Sequence, residues 1–183
     1  MVDWSVLSVA GKKGCSFGRH NPVFVSGSPI ERMIYLVRGS VQVQILRPDG
    51  YQQIVERYGP GTFVAPHSMF GESYLFSAEA TTLVDAIEYP IASFRPLLEN
   101  SELRRAWDTV LYNRVISNMR RLEVLGYSTV AERLDAWIRL YGEVPGKGEY
   151  TSVANEINVS REALYREISR RRKFGENQKG TTD

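Results

Sequence analysis

The sequence predicts an α+β protein, in which a barrel or sandwich of short strands precedes a long helix and a C-terminal helix-turn-helix. Three observations carry this prediction. Turn residues recur at short intervals between residues 20 and 92, the apolar pattern becomes helical after Pro96, and Asn-Val-Ser at 158–160 separates two short helical segments. Closely spaced turns are typical of all-β domains, whereas an apolar repeat of four and three residues is typical of helices.

The strand region is recognised by its alternation and by its turns. Residues 41–45 alternate apolar with polar side chains, as a half-buried antiparallel strand requires, and the apolar run 34–37 precedes them. Pro-Asp-Gly at 48–50 and Gly-Pro-Gly at 59–61 are strong turn signals, because proline presets φ and glycine accepts a positive φ. We assign residues 1–98 to this β-domain.

A long helix follows, and its apolar residues recur at alternating spacings of four and three. Such a seam, with a polar residue inside it, can fix the register of a two-stranded coiled coil. The alternative is packing on the β-domain; we favour a homodimer because the arginine-rich outer face should stay in water. The helix is assigned to residues 99–126, with Gly126 as the candidate hinge. The predicted dimer interface is Trp107, Leu111, Val115, Asn118, Leu122 and Leu125.

The C-terminal region, residues 127–183, is predicted to be helical with a polar tail. A helix is expected over 130–141, followed by a glycine-rich loop and two short helices at about 152–157 and 161–173. The remaining residues are polar and lack alternation, so we expect them to form a frayed tail.

The turn between the last two helices is the most informative part of the sequence. Asn158 tolerates the left-handed conformation of a tight turn, Val159 can fill the turn toward the core, and Ser160 is a strong N-cap. Small Ala154 would let the two helices approach closely. Together these residues predict a helix-turn-helix.

The second helix of this pair carries side chains suited to nucleic acid. Arg161 and Glu162 open it and Arg166 follows one turn later; arginine matches the O6/N7 pair of guanine and glutamate accepts from cytosine N4. Residues 161–173 hold six arginine or lysine residues against two glutamates, and their C-terminal part is expected to contact phosphate. The predicted DNA contacts are Ser160, Arg161, Glu162, Tyr165, Arg166, Arg170 and Arg171.

Segments 34–41, 70–76 and 153–166 together resemble the Crp/Fnr (cyclic-AMP receptor protein) family of transcription regulators. The specific part of the resemblance is Ser-Arg-Glu at 160–162 with Arg166 four positions after the glutamate. The family's order is similar to that of residues 16–173: a double-stranded, cyclic-nucleotide-binding-like β-roll (jelly roll), a dimerisation helix, a hinge and a winged helix-turn-helix. The resemblance implies a cytoplasmic homodimer that binds an inverted repeat of TGTGA-like half-sites in double-stranded DNA, with RNA polymerase as a further partner.

Two features depart from the family pattern. In members that bind cyclic nucleotides, a Gly-Glu pair is followed by an arginine that neutralises the cyclic phosphate. The sequence keeps Gly71 and Glu72 but has Ala80, beside Glu79, where that arginine aligns, so we do not expect cyclic AMP to bind in the usual way. The second departure is that the polar segment 174–183 gives no clear wing.

The control of such a regulator is open at this point. An unidentified small-molecule effector is one option, and haem ligated by His67 is another. A third is a regulator that is constitutively competent for DNA and controlled by its abundance, with Gly71 and Glu72 serving only as a turn whose carboxylate is satisfied. The candidate effector-pocket residues are Gly71, Glu72, Thr81, Thr82 and Asn118.

Composition argues against several other classes of protein. Cys15 is the one cysteine and His20 and His67 are the two histidines, too few for an intramolecular disulfide or a cysteine-ligated or histidine-rich metal site, so we expect no metal or cofactor. A cupin-like enzyme would need two or three histidines with a carboxylate, and we expect no enzyme. No apolar run approaches the roughly 20 residues of a membrane span, and no signal peptide is evident, so we expect a cytoplasmic protein without a membrane partner.

One rival interpretation survives these exclusions. The chain could be a ligand-sensing or protein-interaction β-roll with a degenerate helix-turn-helix. Salt-sensitive binding to DNA distinguishes the two interpretations, because a basic recognition helix releases counterions on binding.

Overall fold

The structure is a computed structural model that divides into two compact units, residues 1–112 and 113–183. The described residues are 2–46, 52–142, 148 and 150–179, with backbone alone for 46, 52 and 173–179. The turn predicted at 48–50 and most of the predicted glycine-rich loop lie outside them. Among the described residues, no helix combines the length and apolar character needed to cross a bilayer.

The first unit is built from antiparallel strands. They are β1 (Lys13–Phe17), β2 (Pro22–Phe24), β3 (Arg32–Arg38), β4 (Val41–Leu46), β5 (Gln52–Tyr58), β6 (Phe63–Val64), β7 (Ser77–Ala80) and β8 (Val84–Pro90). They form two four-stranded sheets with the orders β1-β8-β3-β6 and β2-β7-β4-β5. The predicted β-domain is thus confirmed as a β-roll.

The two sheets enclose an apolar core to which both contribute by alternation. Strand β4 turns Val41 and Val43 inward, and β7 turns Ala78 and Ala80 inward beside them. The alternation ends at Gln44, where the register between β4 and β5 shifts and the side chain becomes buried. Its amide remains satisfied, because it accepts a hydrogen bond from Gln42 and donates one to Glu79.

The helices are α1 (Ile91–Phe94), α2 (Ser101–Leu125), α3 (Val130–Tyr141), α4 (Tyr150–Glu156) and α5 (Arg161–Lys179). The boundary between the units falls inside α2, between Tyr112 and Asn113. The sequence instead predicted a helical domain of its own at 99–126. The difference arises because the first half of α2 packs in the first unit, whereas its last turn contributes Val124 to the core of the second.

An aromatic cluster in the first unit buries the first half of α2. The ring of Trp107 lies 5.0 Å from Phe63 and 5.3 Å from Phe94, and the Tyr89 hydroxyl donates to the Trp4 carbonyl within the same cluster. Trp107 is only 1% exposed. Its assignment to a dimer interface is therefore wrong, because its chain's own rings already cover it.

The second unit packs α3, α4 and α5 around one apolar core. Helix α3 has the predicted bounds and begins with a capping box, in which the side chains of Thr129 and Glu132 each accept from the other's backbone amide. Helix α5 ends at Lys179, six residues beyond the predicted end, so the expected frayed tail is wrong as far as that residue. A single glycine, Gly175, costs a helix only about 1 kcal/mol, and the straight-chain residues around it favour the helix.

Candidate functional site

The turn between α4 and α5 has the predicted geometry. Asn158 is left-handed with φ of 52°, and the Val159 amide donates to the Ala154 carbonyl at 2.9 Å. The Ser160 hydroxyl accepts from the Ala163 amide at 3.1 Å, which caps α5. These local bonds fix the direction in which α5 leaves α4.

The inner faces of the two helices form the core of the unit, as predicted. Ala154, Ile157 and Leu164 are each at most 1% exposed, and Ile168 is buried beside them. The apolar contacts are so extensive that the outer face of α5 is rigidly defined.

That outer face carries four of the predicted DNA contacts. Arg161, Glu162, Tyr165 and Arg166 are all exposed within the first two turns of α5. The charged groups of Arg161, Glu162 and Arg166 make no hydrogen bond or ion pair with any described residue. Their charged heads are therefore available to a ligand.

Arg171 has a different environment from the one that the sequence suggested. Its guanidinium donates to Glu167 Oε1 at 2.7 Å, to Asp135 Oδ1 at 2.6 Å and to the Ala131 carbonyl at 3.0 Å. Asp135 and Ala131 belong to α3, so this side chain ties α5 to α3. Arg171 therefore has fewer donors left for DNA than the sequence suggested, since three of its hydrogen bonds are made within the chain.

The side chains of Arg170 and Arg172 are more exposed to solvent than that of Arg171. Arg170 is exposed and forms a two-bond pair with Glu167, at 2.9 and 2.8 Å. Arg172 is exposed and donates to the Tyr150 hydroxyl at 3.0 Å. The Arg170 hydrogen bonds outweigh the burial of Glu167 and, with Arg171, hold the pKa of that carboxyl below its usual range.

Helix α3 supports the turn through residues that sequence reasoning missed. Arg133 donates to the carbonyls of Tyr127, Ile157 and Asn158 at 2.8, 3.1 and 3.2 Å. The last two carbonyls close α4, where a helix leaves acceptors unpaired. The Trp137 indole N–H donates to Glu156 at 2.7 Å. The one signal in the sequence was the position of both residues on a single helix face, four residues apart.

The surface of α2 presents an apolar stripe that shares only two residues with the predicted seam. Tyr112, Val115, Met119 and Leu122, at spacings of three, four and three, are exposed by 64, 53, 61 and 68%. The predicted Val115 and Leu122 belong to this stripe. Leu111 is half-buried against the aromatic cluster, Leu125 is also half-buried, and Asn118 is exposed. Met119 was missed because the seam was counted from Leu111.

The β-roll contains a cavity of about 350 Å³ beside residues 66–76. Gly71 and Glu72 line it, as predicted. None of the described residues that line it is a lysine or an arginine. The apolar walls are Phe24, Ile30, Val43, Ala65, Tyr74 and Phe76. The Glu72 carboxylate has no hydrogen-bonding or ionic partner among the described residues, contrary to the alternative in which it is a satisfied turn residue.

Other predicted pocket residues lie elsewhere. Thr81 bonds the Ser40 hydroxyl at 2.6 Å, and the Thr82 hydroxyl accepts from the Ser40 amide at 3.0 Å, so both threonines secure a turn outside the cavity lining. Asn118 is not a lining residue either. Ala80 is fully buried in the core between the sheets. The structure therefore places no cation at the position where the family's arginine aligns.

The histidines and the cysteine occupy unrelated positions. His67 lines the cavity, whereas His20 lies 2.9 Å from the Glu79 carboxylate at the surface. Burial raises the pKa of the Cys15 thiol to about 11, so the thiolate, which is the reactive form, is scarce at neutral pH.

Residues 15–101, from β1 to the start of α2, match the family model of the cyclic nucleotide-binding domain. The match includes the cavity and strands of both sheets. It therefore falls within the first unit, residues 1–112.

The whole-chain fold is shared with CRP/FNR transcription regulators. FixK2 from Bradyrhizobium japonicum superposes with a TM-score of 0.73 at 18% identity, over 92% of this chain and 87% of that one. The c-di-GMP-responsive global regulator CLP of Xanthomonas campestris gives 0.69 at 18% identity, over 91% and 89%. TTHB099, a CRP-family regulator from Thermus thermophilus, gives 0.65 at 17% identity, over 88% and 85%. A comparison with curated protein sequences found no match.

Proposed function

We propose that the protein is a transcription regulator of the Crp/Fnr type, which binds an inverted repeat in DNA as a homodimer through a helix-turn-helix formed by α4 and α5. The observation that carries the proposal is the outer face of α5. Three charged side chains without partners, Arg161, Glu162 and Arg166, stand there on a helix start that is fixed by Asn158 and Ser160.

These three side chains suit the major groove. A recognition helix presents its N-terminal residues to base edges, and the two arginines each match the O6/N7 pair of guanine. Glu162 accepts from cytosine N4 on the opposite strand. By resemblance to the family, the half-site is close to TGTGA.

Phosphate contacts come from the flank of the same helix. Arg170 and Arg172 are both exposed on this flank, and Arg172 donates to the Tyr150 hydroxyl through one of its guanidinium nitrogens. Phosphate contacts position the helix without reading sequence and make affinity fall with salt.

The dimer is formed through the apolar stripe of α2. Four apolar side chains spaced by three and four residues on one helix face match the seam of a two-stranded coiled coil. A twofold dimer sets its recognition helices about 34 Å apart, so half-site centres lie about 10 base pairs apart. RNA polymerase is the further partner that this function implies.

The stripe is tested by charge insertion. Met119→Asp together with Leu122→Asp should give monomers in sedimentation, because two carboxylates would be buried in the seam. Arg120→Asp, which changes an exposed residue of the same helix outside the apolar stripe, is the matched control and should remain dimeric. A double variant that sediments as a dimer would show that another surface joins the subunits.

DNA recognition is tested by selection from random duplexes followed by gel shift. The expected product is an inverted repeat that binds in the nanomolar range and weakens steeply with salt. Arg166→Ala should relax the preference at one base pair, whereas Arg170→Ala should weaken all duplexes alike and lower the salt slope by about 1. If the protein binds no duplex at any salt concentration, the alternative of a protein-interaction module is favoured instead.

The β-roll cavity is proposed as the effector site, but cyclic AMP is not its ligand. A cyclic phosphate is typically paired with an arginine, and the described lining residues include no lysine or arginine while Ala80 is buried in the core. Calorimetry should detect no binding of cyclic AMP in the micromolar range. A micromolar dissociation constant would refute this interpretation of the cavity.

A further inference from the structure

We propose that the β-roll cavity binds a small organic cation, in which an ammonium group is attached to an apolar or aromatic body. The proposal rests on the proposed function only in taking this cavity as the effector site. Its basis is the combination of apolar walls with one carboxylate that has no partner among the described residues.

The walls select the body of the ligand. The rings of Phe24 and Tyr74 stack with centroids 3.8 Å apart and planes 6° apart, and Ile30, Val43 and Phe76 also line the cavity. The Tyr74 hydroxyl is already used, because it donates to the Arg32 carbonyl at 3.1 Å. Tyr74 therefore offers the cavity an aromatic surface, which binds apolar groups and cations but repels anions.

The charges of the cavity select the sign of the ligand. Glu72 is exposed at the cavity, and its carboxylate has no ionic or hydrogen-bonding partner among the described residues. The remaining polar side chains of the described lining residues are His67, Ser68 and Ser73, with no lysine or arginine. An ammonium group would find a counterion at Glu72, whereas a phosphate or carboxylate would meet a like charge.

Position 80, which lies outside the cavity lining, offers no cation to an anion either. The side chain at position 80 is a methyl group that is fully buried between the sheets. The Glu72 carboxylate at the cavity therefore favours a cation. The buried methyl group of Ala80 cannot provide the positive charge that an anion would need.

Three probes of similar size and different charge test the inference: phenethylamine, phenethyl alcohol and hydrocinnamate. Each is titrated into the full chain and followed by NMR at the amides of Gly71, Glu72 and Tyr74. The amine should bind with a dissociation constant of about 1 mM or tighter and at least about tenfold better than the carboxylate. Glu72→Gln should weaken the amine by about tenfold and leave the alcohol unchanged, whereas the control Glu99→Gln should alter neither.

Any of three results would overturn the inference. One is an absence of amine-induced shifts at these amides up to about 1 mM. The second is hydrocinnamate binding as tightly as the amine, and the third is amine binding that is insensitive to Glu72→Gln. Gel shifts without any probe test the proposed DNA binding separately, so failure of one hypothesis is distinguishable from failure of the other.

Discussion

Arg166 and Arg171 lie five residues apart on one helix, and their surroundings are opposite. Arg166 is exposed and its guanidinium has no partner among the described residues, whereas Arg171 is bonded to Glu167, Asp135 and the Ala131 carbonyl. The two residues contribute equally to the basic charge of the sequence. The comparison teaches that the charge counted along a helix exceeds the charge that a polyanion can reach.

Helix geometry explains the difference. Successive residues turn by about 100°, so Arg171 stands on the face of Leu164 and Ile168, seven and three residues before it. Those two side chains are buried in the core of the second unit. An arginine on that face has to find partners within the chain, and α3 supplies them.

Arg171→Ala is expected to have the largest effect on the stability of the protein. The substitution leaves Glu167 with one arginine and the Ala131 carbonyl without its donor, so the free energy of unfolding should fall by about 2 to 3 kcal/mol. Urea denaturation followed by far-UV circular dichroism measures the loss. If this variant is as stable as the parent and binds every duplex more weakly, Arg171 is a phosphate contact after all.

Arg133→Ala should have the next largest effect. It removes a charged donor from three carbonyls at the end of α4 and in the connection before α3, at a cost of about 1 to 2 kcal/mol. Hydrogen exchange at the amides of 157–164 should accelerate most. Arg133→Lys is the matched control and should recover only part of the protection, because one ammonium group cannot serve all three acceptors. Full protection in the alanine variant would contradict a supporting role.

A smaller effect is expected from acid. The lowered pKa of Glu167 contributes stability that is fully present above its ordinary value of 4.5 and is lost as the pH falls through the folded-state pKa. Glu167→Gln should therefore flatten the decline of stability below that pH, by about 1 kcal/mol. Urea midpoints measured across this acid range provide the test. An unchanged acid profile would mean that Glu167 titrates alike in the folded and unfolded chain.

The smallest effect on stability is expected for Arg166→Ala. An exposed arginine without partners should change the free energy of unfolding by less than about 0.5 kcal/mol. The same substitution should cost about 1 to 3 kcal/mol in binding the selected DNA site. Arg166→Ala should thus cost less stability than Arg171→Ala but more affinity for DNA. If the two substitutions have equal effects on stability and equal effects on DNA binding, the two faces of α5 do not differ in function.

Features set by neighbours in the sequence were predictable. The left-handed Asn158, the Ser160 cap and the start of α3 at Thr129 depend on bonds that span at most three residues, or on the conformation of one residue. Residue type and spacing are sufficient to identify such features. The helical periodicity of α2 was also evident, although its exposed stripe shares only two residues with the predicted seam.

Features set by distant partners could not be predicted. Thr82 bonds to Ser40, which lies 42 residues away, so its place outside the cavity depends on how β-strands pair. Trp107 is covered by rings from β6 and α1, including Phe63 and Phe94. The position of Arg171 three residues after Ile168 and seven after Leu164 puts it on the inner face, but its assignment to DNA did not use this spacing. Its charge alone suggested otherwise.

The bond between Trp137 and Glu156 gives the second unit an optical reporter. Ring fluorescence responds to a nearby carboxylate and to hydrogen bonding at the indole nitrogen, and Trp137 has both from a residue of α4. The other two tryptophans, Trp4 and Trp107, lie in the aromatic cluster of the first unit, 5.9 Å apart. With those two replaced by phenylalanine, the emission of the protein would come from one indole that senses the contact between α3 and α4, and a duplex that alters this contact would be seen without any added label.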